Sequence, residues 1–202
     1  MENPIRIVLA NHHPIIRSDL RLLLEREPAL RVIGEGANGR EAVVLAEYRR
    51  PDIVLLDIKL PQFNGMAAAR EISAKKPNLG IIFVTALADE EYISEAFKAG
   101  ARGYVLGDAA PADLSSAIRV VAGGGMFLSS AISAKLIEEY AMKDSVSAIS
   151  EREKQLCCLL AAGYTDGEIA LDYRNVSDTL RRVKLPQVVV DSIRGNHLVE
   201  RL

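Results

Sequence analysis

The sequence predicts an α/β domain built on a parallel sheet, followed by a small all-α domain with a helix-turn-helix layout. Three observations carry this. Short apolar runs alternate with helical patterns through the first 125 residues, as they do when helices cover both faces of a parallel sheet. A small, polar stretch from Asp144 to Ser150 interrupts the chain and reads as a linker. Beyond it, two S/T-x-x-E capping boxes open consecutive helices, Ser150 with Glu153 and Thr165 with Glu168.

Taken in order, Ile5 to Ala10 is a first strand, and His13 to Arg26 a helix with Ile15, Ile16, Leu20, Leu23 and Leu24 at helical spacing. Leu30 to Ile33 is a second strand and Asn38 to Tyr48 a second helix. Ile53 to Leu56 is wholly apolar and ends in Asp57, as a central strand buried on both faces does. Pro61 and Gly65 mark a loop before a helix from Met66 to Lys75. Ile81 to Val84 is a fourth strand ending in Thr85, and Glu90 to Ala99 a helix stopped by Gly100. Gly103 to Leu106 is a fifth strand, and Ala112 to Ala122 a fifth helix stopped by Gly123-Gly124-Gly125. Met126 to Lys143 follows as a connecting helix with Ile132, Leu136, Ile137 and Tyr140 on one stripe. The organisation expected is a sheet domain over 1–125, connecting helix and linker over 126–146, and a helical domain over 147–202.

Composition sets the class. Hydrophobic residues make up 49% and charged residues 26% of 202, with a formal net charge of −2. That is an ordinary soluble chain, and any nucleic-acid face on it must be local. Cys157 and Cys158 are adjacent, which suits core packing in a reducing compartment rather than a disulfide framework. The first residues lack a signal-peptide layout, and no apolar run is long enough to span a bilayer. The expectation is a cytoplasmic protein without a membrane partner. No Ser/His/Asp arrangement, phosphate-binding glycine loop or metal-ligand cluster is present, so no enzyme is predicted.

The first half resembles the receiver of the NarL/FixJ (LuxR-type) response regulators. The residues that carry this are Ile5-Arg6-Ile7-Val8-Leu9-Ala10 before His13-Pro14, Leu55-Leu56-Asp57-Ile58-Lys59-Leu60-Pro61, Val84-Thr85-Ala86, and Gly100-Ala101-Arg102-Gly103-Tyr104. The resemblance implies a flavodoxin-like, doubly wound five-stranded sheet of order 2-1-3-4-5, with chemistry at the carboxyl ends of the strands. It places Asp57 where the family carries its phosphoacceptor, Thr85 at the switch hydroxyl and Tyr104 at the switch aromatic.

Three positions depart from that pattern. Where the family has two acidic residues after the first strand, this chain has Asn11 and His12; where it has a lysine, this chain has Gly107. Magnesium calls for hard oxygen ligands, one or two of them carboxylates, and imidazole nitrogen suits zinc, nickel or copper better. Phosphoryl transfer also needs cations to neutralise the phosphoryl oxygens. The expectation is no cofactor, weak or absent magnesium binding, a His12 that fills the vacated pocket, and an Asp57 that is poorly phosphorylated or not at all.

The stretch from Ile149 to Ala170 resembles the LuxR-type DNA-binding domain through Ser150-Glu151-Arg152-Glu153, Leu159-Leu160-Ala161-Ala162-Gly163-Tyr164-Thr165 and Glu168-Ile169-Ala170. A recognition helix from Asp178 to Leu185 then presents Thr179, Arg181, Arg182 and Lys184, a set suited to phosphate and base-edge contacts. From Arg174 to Arg194 five basic residues face two acidic ones, a local excess of +3. Pro186 ends that helix early, and the tail to Leu202 does not resemble the family. Two functions follow. One is a DNA-binding transcriptional regulator that works without aspartyl phosphorylation, with double-stranded DNA, a second copy of itself and a histidine kinase or other regulatory protein as partners. The other is a protein-interaction module whose altered helix-turn-helix no longer binds DNA specifically.

Overall fold

Runs of buried aliphatic residues make the sheet. The computed structural model describes residues 3–107 and 111–133, and the chain divides into two units, Met1–Gly124 and Gly125–Leu202. The first unit alternates β1 (Ile5–Ala10), α1 (Pro14–Glu25), β2 (Leu30–Gly36), α2 (Gly39–Arg49), β3 (Ile53–Leu56), α3 (Gly65–Lys75), β4 (Gly80–Thr85), α4 (Glu90–Lys98), β5 (Gly103–Leu106) and α5 (Pro111–Ala122). Its strands lie in the order β2-β1-β3-β4-β5, and every neighbouring pair is parallel. This is the doubly wound order that the sequence resemblance implies. Three strands, β1, β3 and β5, begin and end where the sequence predicts.

Ile53, Val54, Leu55 and Leu56 are fully buried, as are Ile81, Ile82 and Phe83 of β4. Removing each such side chain from water contributes on the order of 1.5–3 kcal/mol, which is why the two central strands anchor the register. Helix starts are set by side chains. Asn38 Oδ1 accepts from the Glu41 amide at 2.9 Å while the Glu41 carboxylate accepts from the Ala37 amide at 2.8 Å, and Asn64 Oδ1 accepts from the Ala67 amide at 2.8 Å. Such caps are worth about 1 kcal/mol each. α1 has no side-chain cap and starts on Pro14, a residue whose missing N–H costs nothing in the first turn.

α1 departs from the amphipathic pattern. Of its apolar residues only Leu24 is buried, while Ile15, Ile16 and Leu22 are exposed. The loop after α1 is tied to α5 by Glu27, whose carboxylate accepts from Ser115 Oγ and pairs with Arg119.

One expectation is corrected after α5. In the second unit Phe127–Leu128 runs extended as β6. The connecting helix therefore does not begin at Met126. Gly124 has φ +88°, a conformation that glycine adopts freely and that ends a helix, and the buried pair Phe127 and Leu128 then runs extended. Helix resumes at Ser130, where the Ser133 amide donates to the Ser129 carbonyl at 3.0 Å, and Ile132 is buried. The rest of the connecting helix, the linker, both cysteines and the helix-turn-helix with Thr179, Arg181, Arg182 and Lys184 lie outside the described residues.

Candidate functional site

The carboxyl ends of β1, β3, β4 and β5 converge on one edge of the sheet, and the crossover direction reverses between β1 and β3. Crevices at such switch points are where doubly wound sheets bind and react. Asn11 and His12 follow β1, Asp57 follows β3, Thr85 closes β4, Tyr104 lies within β5, and Gly107 follows it.

Asp57 is nearly buried, at 9% exposure. Its amide donates to the Ala10 carbonyl at 3.0 Å, which ties it to β1. Its Oδ1 accepts from the Lys59 amide at 3.3 Å, the local bond an aspartate makes to the backbone two residues on. The other oxygen, Oδ2, lies 3.6 Å from His12 Nδ1. That is beyond hydrogen-bond range, and Nδ1 is buried without a hydrogen-bond partner among the described residues. The His12 ring packs on His13 with centroids 3.7 Å apart.

Asn11 is turned to structural work. Its amide donates to the Gly36 carbonyl at 3.1 Å and its Oδ1 accepts from the His13 amide at 2.8 Å. Its carbonyl accepts from Arg17 at 2.7 Å, and Arg17 also pairs with Glu35 at 3.3 Å. The β1–α1 turn is thereby fastened to β2.

Thr85 and Tyr104 meet through a residue the sequence did not single out. Thr85 Oγ1 accepts from the Leu87 amide at 3.5 Å, and the Tyr104 hydroxyl donates to the Leu87 carbonyl at 3.0 Å. Leu87 takes part through its backbone alone, so its side chain carries no signal. The Gly107 amide donates to the Thr85 carbonyl at 2.9 Å. A Cβ at Gly107 would meet only Thr85 and Ala86 backbone atoms, none nearer than 3.8 Å, so the backbone has room for a side chain there.

The Tyr104 ring is fully buried, with Phe83 tilted against it at 6.2 Å. Burial pushes its phenol well above the usual value of 10.0, helped by the negative charges of Asp89 and Asp57 and by Tyr92. The folded chain therefore holds this proton where an unfolded tyrosine has lost it. Stability from the neutral phenol is complete below pH 10 and falls as pH rises beyond it. Tyr104→Phe is expected to cost about 1 kcal/mol through the lost hydrogen bond to Leu87, and to flatten the decline in stability above pH 10. Urea denaturation of both proteins across that range checks it; parallel declines would show that another group is responsible.

Among the described residues, no three His, Cys, Asp or Glu side chains group as a metal site, and no helix is long and apolar enough to cross a membrane. Residues 7–119 match the response regulator receiver domain. The nitrate/nitrite response regulator protein NarL of Escherichia coli is 32% identical, covering 84% of this chain and 81% of its own. The DNA-binding transcriptional activator DevR/DosR of Mycobacterium tuberculosis is also 32% identical, over 82% of this chain and 78% of its own. Among solved structures, a two-component response regulator of the LuxR family from an Aurantimonas species shares 36% identity at a TM-score of 0.64, covering 68% of this chain and 98% of that one. The chain belongs to the response regulators, in their NarL/LuxR group. Several of its relatives are transcriptional regulators.

Proposed function

We propose that this protein is a DNA-binding transcriptional regulator whose receiver works without phosphorylation of Asp57. The observation that carries the reading is the His12 imidazole, 3.6 Å from Asp57 Oδ2, on the side of Asp57 where the resemblance calls for a carboxylate. One carboxylate, one amide already bonded to His13 and one imidazole make a donor set that does not fit magnesium. With glycine at position 107, the lysine that would steady a phosphoryl group is also missing. The receiver then serves as a dimerisation or sensing platform, and Thr179, Arg181, Arg182 and Lys184 contact double-stranded DNA.

DNA binding is supported by the LuxR-type stretch from Ile149 to Ala170 and by the Mycobacterium tuberculosis relative, a DNA-binding transcriptional activator. Selection of genomic fragments by the purified, unphosphorylated protein at near-physiological salt tests it. The expected result is enrichment of a short two-fold symmetric sequence, since dimers of helix-turn-helix proteins read paired half-sites. Arg181→Ala and Arg182→Ala are then expected to weaken binding and its salt dependence. Pro186 and the unfamiliar tail favour a second reading, an interaction module that has lost specific DNA binding. Failure to enrich any sequence, together with a protein partner that co-purifies, would put that reading first.

A further inference from the structure

At the ends of β1 and β3 a ring nitrogen and a carboxylate oxygen face each other with no bond between them. His12 Nδ1 is buried, has no hydrogen-bond partner among the described residues, and lies 3.6 Å from Asp57 Oδ2. The other Asp57 oxygen is held by the Lys59 amide at 3.3 Å, which leaves Oδ2 as the one turned to the ring. A neutral imidazole has one acceptor nitrogen. With Nδ1 as that acceptor, two electron-pair donors stand side by side beside a nearly buried carboxylate, an arrangement that costs free energy unless a cation joins them. The neighbours do not supply one. Asn11 Oδ1 is committed to the His13 amide at 2.8 Å, and the His13 ring packs against the His12 ring.

We propose that His12 Nδ1 and Asp57 Oδ2 together bind a divalent transition-metal ion, and that zinc is the one they fit. This rests on the reading that the pocket has given up magnesium and phosphoryl chemistry, and it gives the sensing platform of the proposed function a ligand. Distance chooses the metal. Zinc bonds of about 2.0–2.2 Å to nitrogen and oxygen span the 3.6 Å gap at roughly 120° at the metal, close to a tetrahedral angle. An octahedral ion such as magnesium, with bonds of about 2.0–2.1 Å at right angles, needs neighbouring ligands only about 2.9 Å apart. Copper(II) and nickel(II) accept imidazole but favour square-planar or tetragonal geometry. The site is also open. Two protein ligands leave the remaining positions to water, whereas structural zinc sites close all four with side chains. The His12 side chain is 31% exposed, so an ion can enter and leave, and binding is reversible.

Cobalt(II), a spectroscopic substitute for zinc, is to be titrated into the purified full chain, with zinc uptake followed by equilibrium dialysis. The expected result is the strong visible absorption of tetrahedral cobalt, displaced by zinc and not by magnesium. His12→Gln and Asp57→Asn are each expected to weaken uptake at least about tenfold, since even groups that only orient a metal's ligands are worth that much. His13→Gln, beside the site but not in it, is expected to leave uptake unchanged. Circular dichroism confirms that each variant is folded. No uptake, uptake that survives either His12→Gln or Asp57→Asn, the weak absorption of octahedral cobalt, or loss in His13→Gln would each overturn the site. So would a near-ultraviolet thiolate-to-cobalt band, which would put the ion on Cys157 or Cys158. None of these outcomes bears on the DNA selection. Labelling of wild-type Asp57 by a phosphodonor with magnesium would sink the proposed function whatever zinc does, so the two failures are told apart.

Discussion

Asn11→Asp, His12→Asp and Gly107→Lys together are expected to turn Asp57 into an acceptor that takes a phosphoryl group from a small phosphodonor with magnesium. The wild-type chain is expected to show no such adduct, of about 80 Da, by intact mass spectrometry. The changes are compatible with the fold. An aspartate at position 11 keeps an oxygen to accept from the His13 amide, as Asn11 Oδ1 does at 2.8 Å. An aspartate at position 12 removes the imidazole beside Asp57 Oδ2 and supplies the second carboxylate that a hard cation needs. A Cβ at position 107 meets the Thr85 backbone only at ordinary van der Waals distance, and the Gly107 amide already ties that position to Thr85. One preorganised donor aimed at developing charge is worth roughly 10²–10³ in rate, so the labelled fraction should rise by on the order of a hundredfold or more. Adding Asp57→Asn should abolish it. Ready labelling of the wild-type chain would sink the phosphorylation-independent reading, and a folded triple variant that stays unlabelled would mean that these three positions are not what silences the pocket.

The sheet was legible because its signal is physical and local. Ile53-Val54-Leu55-Leu56 is short, wholly apolar and bounded by Pro51-Asp52 and Asp57, which reads as a strand buried on both faces, and the structure buries all four. Asp57 and Thr85 were legible because each closes an apolar run, where a doubly wound sheet exposes its working edge. What failed was legible only in three dimensions. Helical spacing placed Ile15 and Ile16 on one pattern with Leu24, yet α1 leaves the first two in water; periodicity gives a face but not what covers it. The glycine run after α5 announced a stop, but a two-residue strand has too short a pattern to announce itself. Leu87 joins Thr85 to Tyr104 with its amide and carbonyl, which every residue has. The approach of His12 to Asp57 joins residues 45 positions apart in sequence, and only the pairing of β1 with β3 brings them together.

Gly65→Ala is expected to destabilise the first unit by about 3–4 kcal/mol, among the larger effects a single methyl can have. The sequence shows Gly65 merely as a loop marker, but the fold uses its missing side chain. A Cβ there would stand 2.1 Å from the Asp57 carbonyl oxygen and 3.0 Å from both the Asp57 carbonyl carbon and Ile58 Cα. All three are backbone atoms at the exit of β3 and have no flexible end to swing aside. The same contact is held by the Gly65 amide, which donates to the Ile58 carbonyl at 3.0 Å, and Asn64 caps the helix immediately before it. A methyl group must therefore push α3 off the strand end or move the segment that carries Asp57. Gly107→Ala is the control: its Cβ meets nothing nearer than 3.8 Å, and its effect should stay within about 0.5 kcal/mol. Amide hydrogen exchange over Ile53–Leu56 reads the stability of this unit by itself, with protection expected to fall by roughly two orders of magnitude or more in Gly65→Ala and to change little in Gly107→Ala. Equal protection in the two variants would show that the close approach of α3 to Asp57 does not hold the site in place.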